Sequence, residues 1–170
     1  MKIKNSAVLA IMAIAGSTQA QLINPSFETP GFPGIFQGWE QFGGNIGPDT
    51  TEFILDGAVS AKIFGGFTGG FNVSGLFQTA AAANPGEIWE ASINVGHITG
   101  DQLQEGARAF VSLVYRDAGG VNIYDYATDV LLPASPVDTF IFNTAADVAP
   151  LGTADVQIVI GFVQEAPTSD

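Results

Sequence analysis

The sequence predicts an all-β chain folded as an antiparallel two-sheet β-sandwich, and three observations carry that prediction. Short runs rich in β-branched and aromatic residues recur along the chain, several of them alternating apolar with polar. Glycine pairs at 43–44, 65–66, 69–70 and 119–120, together with Pro33, Pro48, Pro85, Pro133 and Pro136, interrupt these runs at the spacing of sandwich turns. Helix signals are nearly absent, so helix should occupy less than about a tenth of the residues.

In chain order, the first element is not part of the sandwich. Lys2 and Lys4 precede an apolar stretch over residues 7–15, and Thr18-Gln19-Ala20 supplies small residues at a cleavage site, which together read as an export signal over residues 1–20. The apolar stretch is too short to span a bilayer and no later run reaches about 18 residues, so the reading is a secreted or cell-surface protein without membrane insertion. The mature chain then starts at Gln21, and residues 21–170 have the length of one domain with a single core.

Strands are expected at residues 60–64, 88–95, 107–115, 139–142 and 156–163. On the third of these, Phe110, Ser112 and Val114 share one face and Val111, Leu113 and Tyr115 the other, so one face is the less buried. Phe77, between Leu76 and Gln78, and Trp89, between Ile88 and Glu90, are expected to pack in the core. The run 80–83 has the composition of one helical turn, but Asn84-Pro85-Gly86 ends it at once, which favours a loop or strand end.

Charge and cysteine content exclude several classes of function. The formal charge of −12 becomes −14 when Lys2 and Lys4 leave with the signal, and only Lys62, Arg108 and Arg116 then oppose 17 acids. Nucleic acid and anionic lipid require a basic surface that this chain lacks. It contains no cysteine, so disulfides, thiol nucleophiles and thiolate metal sites are excluded and core burial must stabilise the fold.

A set of short motifs adds a family resemblance. Asn24-Pro25-Ser26-Phe27-Glu28, Gly38-Trp39, Asp56-Gly57 with Ser60-Ala61-Lys62-Ile63, Gly75-Leu76-Phe77-Gln78-Thr79, Pro85-Gly86-Glu87-Ile88-Trp89, Ala109-Phe110-Val111-Ser112-Leu113 and Asp117-Ala118-Gly119-Gly120 follow one another in an order that resembles the galactose-binding-like jelly rolls. These include carbohydrate-binding modules of families 4, 9, 16 and 22 and similar domains of exported bacterial proteins that carry a sorting tail. Such domains end on a strand bearing an Asp-Asp pair, whereas this sequence stops at Pro167-Thr168-Ser169-Asp170. The resemblance therefore implies a sandwich lacking its last strand, with the apolar run 156–163 left at an open edge where another chain can add or the domain can self-associate.

The resemblance also implies a structural calcium. The glutamate of the first motif is Glu28, the turn at Asp56 and the strand through Lys62 occupy the region that supplies loop oxygens, and the closing aspartate is missing. Glu28 as a solvated acid at a strand end is the competing role.

A polysaccharide or other glycan would need aromatic faces for stacking and amide or carboxylate groups for its hydroxyls. Trp39, Tyr115, Tyr124 and Tyr126 are the aromatic candidates, with Gln102, Gln104, Asn122 and Asp125 as polar ones. Tyr124 and Tyr126 flank Asp125 and project to one side of a strand, while Trp39 follows Gly38 at a scaffold position where packing is the simpler role.

Catalysis is not expected. His97 is the sole histidine and supports neither a Ser-His-Asp arrangement nor a histidine metal cluster, and Glu87 and Glu90 have opposite parity on one strand. The sequence thus reads as a secreted noncatalytic module that binds carbohydrate, or alternatively as a structural or adhesive matrix domain without a sugar ligand.

Overall fold

The computed structural model describes residues 22–65 and 70–165, so the expected export signal over residues 1–20 lies outside the described part. Nine strands follow in order: β1 Glu40–Phe42, β2 Ile46–Asp49, β3 Ser60–Ile63, β4 Asn72–Ala82, β5 Ile88–Val95, β6 Ala107–Arg116, β7 Asn122–Leu131, β8 Ile141–Val148 and β9 Asp155–Gln164. One layer is a five-stranded sheet in the order β1-β4-β9-β6-β7, and the ribbons β2–β3 and β5–β8 form two further sheets, all antiparallel. The chain is an all-β antiparallel sandwich, as its turn and strand pattern predicts.

Parity decides what each strand buries. Leu76 of β4, Val111, Leu113 and Tyr115 of β6, and Val156, Ile158 and Ile160 of β9 line the inner face of the large sheet. Trp89, Ala91 and Ile93 of β5 with Ala145 of β8 complete the same core. Trp89 is in the core as expected. Phe77 is not, because its parity with Val159 and Ser112 turns it to the outer face, where it is half-buried.

The run 80–83 forms a strand end, one of the two states that Asn84-Pro85-Gly86 favours. Ala81 and Ala82 pair with Val156 and Asp155 after a bulge at Ala80, so β4 continues to Ala82. A ladder already formed over eight residues outweighs the weak helical preference of four alanines.

The run 156–163 does overturn an expectation. It does not form an open edge, since β9 is paired along its length with β4 on one side and β6 on the other. Its low charge reflects burial in the middle of a sheet. The edges of this sheet are instead β1, three residues long, and β7, which carries Asp125 and Asp129. A short strand and inserted charges both discourage edge pairing.

The first motifs of the sequence form a plug on the inner face. Phe27, at φ 62°, places its ring against Phe36 and Trp39 at centroid distances of 5.1 and 5.0 Å, and all three are buried. Trp39 Nε1 donates to the Asn24 carbonyl at 3.0 Å, while the Asn24 side chain exchanges two bonds with the backbone of Thr29. Gln78 ties this plug to β4. Its Oε1 accepts from Ile23 N at 2.6 Å, and its Nε2 donates to the carbonyls of Ile23 at 3.1 Å and Gly38 at 2.7 Å. Trp39 therefore packs, as its position after Gly38 suggests.

Candidate functional site

The outer face of the five-stranded sheet is built by parity from residues that the core does not use. One row across it reads Phe42, Gly75, Gly161, Phe110, Asp129, and the next reads Glu40, Phe77, Val159, Ser112, Ala127. The two central glycines are required there. A Cβ on Gly75 would lie 2.4 Å from Phe42 Cζ, and one on Gly161 would lie 2.4 Å from Phe110 Cε1, so each ring rests over a bare stretch of backbone. Phe77 joins Phe42 at 6.3 Å with planes tilted by 34°. The result is a low aromatic floor of three half-buried rings across four adjacent strands.

A polar strip adjoins this floor. Ser112 donates a short hydrogen bond to Asp125, directly across from Val114. Arg116 donates through Nε to Asp155 at 2.7 Å and through a terminal nitrogen to Thr79 at 2.8 Å, with Gln157 in the neighbouring row. Aromatic faces beside fixed carboxylate and guanidinium groups can stack on the apolar side of a pyranose and bond its hydroxyls.

The structure separates the residues that sequence reasoning grouped as a glycan site. Tyr124 and Tyr126 do share one side of β7, but it is the inner side: Tyr126 packs on the core, and Tyr124 lies parallel to Tyr115 at 6.2 Å with 44% of its surface exposed. Tyr115 is fully buried and donates to the Asp147 carbonyl at 3.1 Å, and burial pushes its phenol well above the ordinary range. Asp125 reaches the outer face, opposite Val114. Gln102 stands apart, on a cavity at the end of the sandwich, where its Oε1 accepts from Gly100 N at 3.2 Å. Phe42, Phe77, Gly75 and Gly161 were not singled out as site residues. Their shared face depends on register between strands up to about a hundred residues apart in sequence, for which local pattern carries no signal.

Glu28 is set against the turn that carries Asp56, whereas Lys62 is directed at Asp101 and Glu52. Both oxygens of Glu28 accept backbone hydrogen bonds, from Ala58 N at 3.0 and 3.1 Å and from Val59 N at 3.2 Å. A Cβ on Gly57 would sit 2.1 Å from Glu28 Oε1, so that glycine admits the carboxylate. Asp56 accepts from Gly57 N. Lys62 points its ammonium at Asp101, 2.6 Å away, and Glu52, 3.3 Å away, and the Asp101 carboxylate holds it above the usual lysine range. A surround of N–H donors does not fit calcium, which takes six to eight oxygens. No group of three potential ligands from His, Asp and Glu occurs among the described residues. Glu28 in this arrangement works as an anchor for the 56–59 turn.

His97 is used structurally. Its Nδ1 accepts from Leu103 N at 3.1 Å, which assigns the proton to Nε2, and Nε2 donates to the Ser135 carbonyl at 2.9 Å. Both nitrogens are therefore occupied. Glu87 accepts from Asn84 through both of its oxygens, which holds its carboxyl below the usual range.

No family model matches the chain, and no curated protein does. Solved structures do. The enzymatically active domain of tailspike protein 4 from Bacteriophage CBA120 superposes with a TM-score of 0.52 at 17% identity, over 82% of this chain and 19% of that one. This chain thus spans about a fifth of the tailspike chain, and the likeness shows the fold. Similar structures also include the CBM22-1 xylan-binding domain of Paenibacillus barcinonensis Xyn10C (TM-score 0.49, 15% identity, 96% of this chain and 94% of that one). A third is the C-terminal family 22 carbohydrate binding module of Clostridium thermocellum Xyn10B, with TM-score 0.46 and 14% identity over 82% of this chain and 93% of that one.

Proposed function

We propose that this protein is a secreted, noncatalytic carbohydrate-binding module that takes a glycan chain across the outer face of its five-stranded sheet. The observation that carries the reading is the aromatic floor of Phe42, Phe77 and Phe110 over Gly75 and Gly161, bordered by Ser112, Asp125, Gln157 and Arg116. A large sheet face uses apolar rings when something flat and apolar must rest on it, and sugar rings satisfy that condition while their hydroxyls meet the polar strip. The noncatalytic reading is supported by His97, whose two nitrogens are committed to backbone groups. Secretion rests on the export signal at residues 1–20.

A glycan array probed with residues 21–170, followed by calorimetry on the hits, tests the proposal. Binding to neutral polysaccharides is expected, at least tenfold weaker in Phe77→Ala and Phe110→Ala with unchanged circular dichroism, a loss equivalent to about 1.4 kcal/mol. Full affinity in both variants would remove the site from this face. Absence of any glycan, with self-association through the same rings, would establish the structural or adhesive reading instead.

A further inference from the structure

A cavity of about 450 Å³ opens at the end of the sandwich where the second layer divides, because β3 and β5 belong to different ribbons and share no ladder. Its floor is apolar, formed by Phe53, Ala61, Ile63, Leu103 and Phe162. Its volume lies in the range of small-molecule sites.

Both walls are held open by the protein's own polar anchors. On one side Asp49 accepts from Thr51 N at 2.9 Å, Glu52 N at 3.0 Å and Phe53 N at 3.2 Å, fixing the turn that presents Phe53. Phe53 is also stacked on Phe140 at 4.2 Å. On the other side His97 holds Leu103, and Asp138 accepts from both N and Oγ1 of Thr99. Gly96 lets the walls meet, since a Cβ there would lie 2.5 Å from the Phe53 ring and 2.6 Å from the Thr139 carbonyl. A pocket whose walls are fixed in this way requires little ordering on binding.

The mouth selects for charge. Five acids line the cavity against one lysine. Asp49 is occupied by amides and Glu165 pairs with Arg108 at 2.5 Å, while Lys62 bridges Glu52 and Asp101 across the opening. Glu105 is exposed at the mouth and has no ion-pair partner among the described residues. The chain as a whole carries −12, so the field at this opening favours cations.

We infer that this cavity is a second binding site, separate from the outer sheet face, and that it takes a small molecule with an apolar ring body and a protonated amine. The ring would lie on Phe53, Leu103 and Phe162, with the ammonium at the mouth beside Glu105.

Tryptamine, protonated at neutral pH, is the probe, with indole-3-propionate as the same ring carrying the opposite charge. Amide chemical-shift mapping by NMR on residues 21–170 should show tryptamine shifting the 97–105 segment and β3, at least tenfold more tightly than the propionate. Leu103→Trp, which fills the floor, should abolish binding. Glu105→Gln, which leaves the floor intact, should weaken tryptamine severalfold and reduce the salt dependence. Equal binding of the two probes, shifts confined to the Phe42, Phe77 and Phe110 face, or no shifts at millimolar probe would each overturn the inference. The Glu105→Gln comparison keeps it decidable if Leu103→Trp does not fold.

Discussion

Gln78 is the residue through which β4 holds the N-terminal plug, and its replacement by leucine isolates that contribution. The side chain is 7% exposed and makes three hydrogen bonds, one from Ile23 N and two to the carbonyls of Ile23 and Gly38. Each such bond contributes about 1 kcal/mol net, and leaving its backbone partner buried and unpaired costs about 1–3 kcal/mol, so Gln78→Leu should lose about 3 kcal/mol after its apolar gain. For a domain of this size that corresponds to a fall in Tm of about 6–12 °C. Gln78→Glu keeps an acceptor for Ile23 N but sets a carboxylate against two carbonyl oxygens, so it should be at least as damaging. Thermal and urea unfolding followed by tryptophan fluorescence and circular dichroism measures both variants. A Gln78→Leu protein within about 1 kcal/mol of the parent would refute the reasoning, and would mean that the rings of Phe27, Phe36 and Trp39 hold the plug unaided.

Other expectations can be checked with the same preparations. Gly161→Val puts a Cβ into the Phe110 ring; it should cost about 1–3 kcal/mol as an overpacked site and displace that ring, with glycan binding lost alongside. Glu28→Ala should lose about 1–2 kcal/mol through its freed amides, equally with and without added calcium, whereas a calcium-dependent increment lost in the variant would return Glu28 to a cation site. Acid sensitivity follows from three carboxylates. Asp138 and Glu87 are lowered by bonds from Thr99 and Asn84 respectively; for Asp49 burial acts upward, but the amides of Thr51, Glu52 and Phe53 and the charge of Lys62 outweigh it. A group with a depressed folded pKa adds stability that is complete above the unfolded value and disappears as pH falls through the folded one. Stability should therefore drop below about pH 4, and Asp49→Asn should flatten that slope in urea titrations at stepped pH.

The sequence by itself determined the fold class and much of its scaffold. Short runs rich in β-branched and aromatic residues, several of them alternating, located β3, β5, β6 and β9 within a residue or two, because such residues fit a pleated, packed surface and turns favour glycine and proline. The motif order from Asn24 to Gln78 marked residues that the structure joins by hydrogen bonds and ring contacts, so that resemblance was a record of local geometry. Tertiary structure decided what each face does. Tyr124 and Tyr126 alternate as a stacking platform would, yet the strand order turns them inward, and Phe77, read as core, turns outward. The run 156–163 reads as the open edge of a sheet lacking its last strand; its two ladders, to β4 and β6, make it central. The aromatic floor and the end cavity are products of pairing between distant segments. Register and the gap between ribbons are set by the summed packing of the whole sandwich, and no window of sequence contains that sum.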